Sequence, residues 1–169
     1  MKKLDILSVD CDWIVSLKQQ EELLSFVIPL LYTHSDITTS LIHTDIYPLV
    51  KHGYDEYNII NIDQHHDWRY KEASDNKLHE GNWVFHLSNI FKKKINYLWI
   101  CNPHSWHMYI NGLYNLKSYN FDHHINSIKQ KKFDKIFICC SPDYTQTELA
   151  ITAYKILESI VNENKKSNT

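Results

Sequence analysis

Asp63, His65, His66 and Asp67 place four metal-capable side chains within five positions, in the run Asn61-Ile62-Asp63-Gln64-His65-His66-Asp67-Trp68 that follows the β-like residues 57–60. Asp63, His65 and Asp67 stand at i, i+2 and i+4, so they face one side of a continuing strand or ring a loop at its end. Asp and His also populate ordinary surface turns, which is the simpler reading of the same residues. Against it, two carboxylates and two imidazoles at the mouth of a buried strand repel, desolvate or protonate one another unless a cation sits among them. A second pair, Asp10 and Asp12, ends the apolar run 4–9. A solvated turn explains that pair alone, and explains it less well beside another cluster of the same kind.

If Asp10, Asp12, His43, Asp63, His65 and Asp67 converge, their four carboxylates and two imidazoles balance the charge of two divalent ions. Oxygen-rich coordination with two nitrogens favours Mn2+, with Zn2+, Fe2+ and Co2+ as alternatives. Such ions lie about 3.5–4 Å apart and bring the pKa of a shared water towards neutrality. The chemistry on offer is attack of hydroxide on an electrophilic carbon or phosphorus.

Strands and helices must position these residues, and the hydrophobic pattern lays them out in alternation. Residues 4–9, 57–62, 95–101 and 133–140 read as strands, and 37–42 as a short β-like piece. Helical spacing covers 18–32, where Glu21 and Glu22 suit the positive end of the helix dipole and Pro29 should kink or shorten the helix. Further helices are expected over 43–50, closing near Gly53, from about residue 83 to Phe91 before a basic triplet, and over 148–161. The stretch 105–119 is aromatic and irregular. The alternation predicts an α/β chain with a three-layer α/β/α arrangement and a mostly parallel central sheet. In such sheets ligands bind beyond the carboxyl ends of the strands, where all the residues above stand. Residues 1–162 form one domain in this reading, and 163–169 a polar tail.

A chain of 169 residues, 43% apolar, can fill one core. The formal charge of −2 and a pI near 6.6 leave no basic footprint, and the lysine runs 92–94 and 129–132 are short enough to be solvated faces, so no nucleic-acid partner is inferred. Eleven histidines against three glycines, without a P-loop or dinucleotide fingerprint, favour a metal or polar-aromatic site over a phosphate cradle. Cys11, Cys101, Cys139 and Cys140 lie in apolar runs without CxxC spacing and read as buried thiols of a reduced, cytoplasmic protein. Asp5, Asp10 and Asp12 interrupt any signal-peptide core, and no stretch suits a membrane span. Homo-oligomerisation is left open.

The combination Val9-Asp10-Cys11-Asp12-Trp13, Asp63-Gln64-His65-His66-Asp67, Glu80-Gly81-Asn82-Trp83 and Ser141-Pro142-Asp143 resembles the arginase-like (ureohydrolase) superfamily, most closely its small peptide-arginase branch, over nearly the whole chain. The resemblance implies an arginase/deacetylase-like fold, a dinuclear Mn2+ centre, and hydrolysis of an arginine side chain within a peptide or precursor peptide to ornithine and urea. It matches Asp63, His65 and Asp67 to the central ligands, His43 to the upstream histidine, and Asp10 and Asp12 to the paired aspartates. In arginases acting on free arginine that pair follows the central motif; here it comes first, as in the small branch, which implies a rearranged topology with an equivalent site. The chain is also much shorter than ordinary arginases, which suits an open site reached by a peptide.

A guanidinium needs a carboxylate to hold it against the metals. Glu80 is the first candidate and Asp143 and Glu148 the next, with Asn82 beside Glu80; each acid reads equally well as a solvated loop or helix-start residue. His66 is the nearest candidate for proton transfer to the departing amine, with His79 and His104 behind it, and it would equally serve to orient a ligand. Asp67 is counted with His66 and Glu80 as catalytic as well as among the ligands. His34, His52, His86 and His107 read as surface or core residues, and the aromatics 106–119 as packing rather than a peptide-facing wall. One rival is a two-metal phosphoesterase using Asp122-His123-His124, disfavoured because no obvious buried strand precedes residues 120–125 and phosphate-gripping features are absent. An all-helical His-Asp phosphohydrolase conflicts with the β-like run before His66-Asp67. A non-catalytic metal-binding interaction protein on the same fold is the third alternative.

Overall fold

The computed structural model describes residues 2–50, 53–68, 77–90, 92–102, 105, 117–145 and 147–167. Among these residues there are six strands, β1 (Lys3–Asp10), β2 (Ile37–Thr39), β3 (Glu56–Ile62), β4 (Lys94–Cys101), β5 (Lys117–Asn120) and β6 (Lys135–Cys139). They form one sheet in the order β2-β6-β1-β3-β4-β5, and every described pairing is parallel. The helices are α1 (Leu17–Leu31), α2 (Ile46–Val50), α3 (Trp83–Phe85), α4 (Phe121–Ile128) and α5 (Glu148–Ser167).

Period-two alternation in the strands divides the core. Leu7 and Val9, Ile60 and Ile62, and Ile136 and Ile138 point to one face, where they pack on α1, α4 and α5 through residues such as Phe26, Phe121 and Leu157. Leu4 and Ile6, Tyr57 and Ile59, and Phe137 and Cys139 point to the other, against α2 and α3 through Ile46, Val50, Trp83 and Val84. Helices on both faces of a parallel sheet make the expected three layers. Val9 pairs with both Ile62 and Ile138, so β1, β3 and β6 reach the same edge of the sheet together. From β1 the chain crosses to β2 on one side and then to β3 on the other, which makes the carboxyl end of β1 and β3 a topological switch point.

Several element boundaries differ from the sequence reading. The expected helix over 43–50 opens as a 3-10 turn, His43–Asp45, before α2. Pro29 lies within α1, which continues to Leu31. The segment after Asn82 starts as α3 and widens to a π-helical turn over His86–Ile90. The irregular stretch contains the edge strand β5, which leads directly into α4, so a strand does precede Asp122. The polar tail is helical to Ser167: Asn164 Nδ2 donates to the Leu31 carbonyl (3.1 Å), and Lys165 and Lys166 sit at the negative end of the helix dipole. His52, His104, His107, the loop residues 71–76 and the aromatics 106–116 lie outside the described residues. No helix among the described residues is long and apolar enough to cross a membrane.

Candidate metal centre

The alternation that buries Leu4 and Ile6 continues to Ser8 and Asp10, that of Tyr57 and Ile59 to Asn61 and Asp63, and that of Phe137 and Cys139 to Ser141. The polar residues in these series are all buried, and their side chains meet below α2 and α3. The turn after β2 brings in His43, whose ring stacks on Phe137 (5.9 Å) and lies 5.5 Å from Trp83. Asp67 and Ser141 take left-handed backbone conformations, φ 48° and 41°, which cost non-glycine residues about 1–2 kcal/mol each. In those conformations Asp67 and Ser141 Oγ reach the cluster.

His43 Nδ1 lies 3.1 Å from Asp67 Oδ2, 3.3 Å from Asp10 Oδ2 and 3.4 Å from Asp63 Oδ2. One ring N–H cannot serve three carboxylates. Donor atoms sharing a metal at about 2.1 Å stand roughly 3.0–3.4 Å from one another, and the observed spacings match those edges. His43 Nε2 contacts Ser8 Oγ at 2.8 Å, a hydrogen bond that leaves Nδ1 to face the carboxylates when Nε2 holds the proton. A second group joins Asp12, Asp63 and His65. There Asp12 Oδ2 is buried, lies 2.9 Å from His65 Nδ1, and accepts no aligned hydrogen bond among the described residues. Two donors this close without hydrogen-bond alignment point to a common third atom. Asp63 belongs to both groups, and so is placed to bridge.

The carboxylates are held in place from behind. Asn61 Nδ2 donates to Asp63 Oδ2 (3.0 Å) and lies 3.0 Å from the Tyr97 hydroxyl, which donates to the His66 carbonyl. Trp83 Nε1 donates to Asp67 Oδ2 (2.6 Å) and Ser141 Oγ to Asp10 Oδ2 (2.5 Å). The Gln64 amide donates to Asp12 Oδ1 (3.1 Å), and Trp99 Nε1 to the Asp63 carbonyl (2.9 Å). Ser8, Asn61, Trp83 and Ser141 were not singled out as supports in the sequence. Their signal was there in Ser8 and Asn61, polar residues on the buried side of strands two positions before Asp10 and Asp63.

Burial, then the charges of Asp10 and Asp63, pushes the Asp12 carboxyl well above the usual carboxylate range. Burial, then Asp63, does the same to Asp67. For Asp10 the burial penalty is outweighed by the hydrogen bond and charge of His43, and its pKa is lowered. Burial opposes a charge on His43, but Asp10 and then Asp63 raise its pKa. One imidazolium cannot compensate four carboxylates; two divalent cations can. The donor set, its spacings and the Asp12 oxygen that accepts no aligned hydrogen bond therefore fit a pair of divalent ions. Cys139 Sγ lies near Asp10 and His43, but burial and then Asp10 push its thiol well above its usual range.

A cavity of about 480 Å³ opens over the cluster and is also lined by His79, Glu80, Gly81, Ser141 and Tyr144. Glu80 Oε2 is buried and without a hydrogen-bond partner among the described residues. Other expected site residues fall elsewhere. His66 is buried but does not line the cavity: its Nδ1 accepts from the Trp68 amide (3.1 Å) and its ring stands edge-on to Trp99. Asn82 is engaged in capping, accepting from the His79 amide (2.9 Å) and donating to the Lys77 carbonyl (2.9 Å). Asp143, in the turn after Ser141, and Glu148, the first residue of α5, are exposed and outside the lining. Asp122, His123 and His124 lie on α4, after the edge strand β5 and two strands from β3. Comparisons with protein-family models, curated proteins and solved structures returned no match, so the site is read from its own geometry.

Proposed function

We propose that the chain is a Mn2+-dependent hydrolase with an arginase-like site, cleaving the guanidinium group of an arginine within a peptide to give ornithine and urea. The observation that supports this most is the convergence of Asp10, Asp12, His43, Asp63, His65 and Asp67 beneath a cavity whose wall also carries Glu80. Asp10, His43, Asp63 and Asp67 would hold one ion, and Asp12, Asp63 and His65 the other. When bound, the pair supplies the Lewis acidity that makes water a nucleophile at neutral pH.

Glu80 has a buried acceptor oxygen available to guanidinium N–H donors, and so holds the electrophilic carbon against the cluster. Water adds to that carbon and the bond to the side-chain nitrogen breaks. Both water protons end on the departing nitrogen, which leaves as the ornithine ammonium, with urea as the other product. His79, on the cavity wall, is better placed than His66 to pass a proton to that nitrogen. His66 serves instead to brace the loop between the ligands His65 and Asp67.

Protein loaded with Mn2+ should release urea from an arginine-containing peptide. Glu80→Gln should lower kcat/KM by about 10- to 100-fold, the worth of a charged hydrogen bond. Phosphodiester cleavage, with no urea from peptide, free arginine or agmatine, would overturn the proposal.

A further inference from the structure

The exposed large apolar side chains are unevenly placed. Leu41 (54% exposed), Ile42 (48%), Leu78 (36%) and Tyr144 (51%) stand on loops leaving the carboxyl ends of β2, β3 and β6; the others among the described residues belong to α1, its C-cap and α5. The Ser141 amide donates to the Leu41 carbonyl (3.0 Å) and the Tyr144 amide to the Ser141 carbonyl (2.9 Å), so two of these loops are tied together beside Asp10. The Tyr144 ring lines the cavity and meets His65 edge-on at 5.7 Å. Leu78 adjoins His79, which with Glu80 and Gly81 lines the same cavity. In the strand order the β2 and β6 loops flank β1 on one side, and the β3 loop flanks it on the other. Tyr144 therefore lines the cavity itself, while Leu41, Ile42 and Leu78 adjoin the lining residues Ser141, His43 and His79 on its two sides.

Single exposed apolar residues are ordinary, whereas a set gathered around one concavity marks a recognition surface. The floor decides what it recognises. Two divalent ions would offset the four aspartates, leaving Glu80 as an acceptor for a cationic group. Free arginine or agmatine would satisfy Glu80 but carries nothing that reaches the rim. A peptide satisfies both, if its arginine is flanked by apolar side chains. Resting on the guanidinium-hydrolase reading above, we propose that the rim formed by Leu41, Ile42, Leu78 and Tyr144 selects an arginine in an extended peptide segment with apolar residues on both sides.

The test uses two nine-residue peptides with one central arginine, flanked in one by leucine and phenylalanine and in the other by serine, with agmatine alongside. Urea release should favour the apolar-flanked peptide by about tenfold in kcat/KM, the effect of partly burying one aliphatic side chain. Leu41→Ser and Leu78→Ser, both at exposed positions, should each shrink that ratio towards one. Turnover without flank preference, or a ratio unmoved by both variants, overturns the rim and leaves the hydrolase standing. If no guanidinium compound yields urea, the hydrolase reading falls. The rim is then judged by fluorescence anisotropy of the same peptides carrying fluorescein: tighter binding of the apolar-flanked peptide that weakens in both variants supports it, and equal affinity overturns it.

Discussion

Asp63 is the residue on which both candidate ions depend, since it alone is shared by the His43-Asp67 and the Asp12-His65 groups. Asp63→Asn should therefore reduce bound Mn2+ from two per chain to none, while Asp67→Asn should leave one; metal analysis after gel filtration distinguishes them, and equal losses would refute a bridging role. His66 shows what spacing alone leaves open. It lies inside the motif, yet burial and then the charge of His65 push its pKa down to about 4, so it stays neutral in the fold. An unfolded histidine takes up its proton near 6.5. Between those values the unfolded chain binds more protons, so the His66 contribution to stability is complete above about pH 6.5 and declines as the pH falls towards 4. Denaturant titrations at pH 7 and pH 5 should show a smaller stability loss for His66→Asn than for the wild type. Types and spacing picked out the residues that converge, because metal-capable side chains are few in kind. They could not show that Asn82 is spent on a helix cap, or that Trp83 donates to Asp67.

At the scale of elements, the strands were legible because β1, β3, β4 and β6 are apolar runs bounded by polar turns. The edge strand β5 is short, and α4 starts immediately after it, so neither periodicity has length enough to stand out from the aromatic stretch. The end of α5 was hidden for another reason. Residues 163–167 are polar and look solvated, but α5 packs along α1 and Asn164 reaches back to the Leu31 carbonyl at the end of that helix. Asn164→Ala should cost about 1 kcal/mol, the usual net worth of such a hydrogen bond, read as a lower urea midpoint with an unchanged m-value. No change in midpoint would mean that this last turn frays free of α1.

For the molecule as a whole, the site lies at the point where the chain reverses its direction of winding, with β1 and β3 side by side and their connections leaving to opposite sides. Four buried carboxylates at that point oppose folding unless cations compensate them, so metal and stability should be tightly linked. At a free Mn2+ concentration a hundredfold above Kd, one ion stabilises by about 2.7 kcal/mol. For a chain of this size Tm should then rise by about 5 °C or more, and a chelator should reverse the gain. A Tm indifferent to Mn2+, Zn2+ and chelator would show that the cluster holds no ion. The sequence by itself determined the alternating layers and the six donors, because apolar periodicity and donor chemistry are local properties. Which of these residues lie together, which acid faces them and which histidine stands outside the cavity were decided only by tertiary structure. Those outcomes depend on strand order, on the level ends of β1, β3 and β6, and on side chains such as Ser8 and Trp83 that lie far from their partners in sequence.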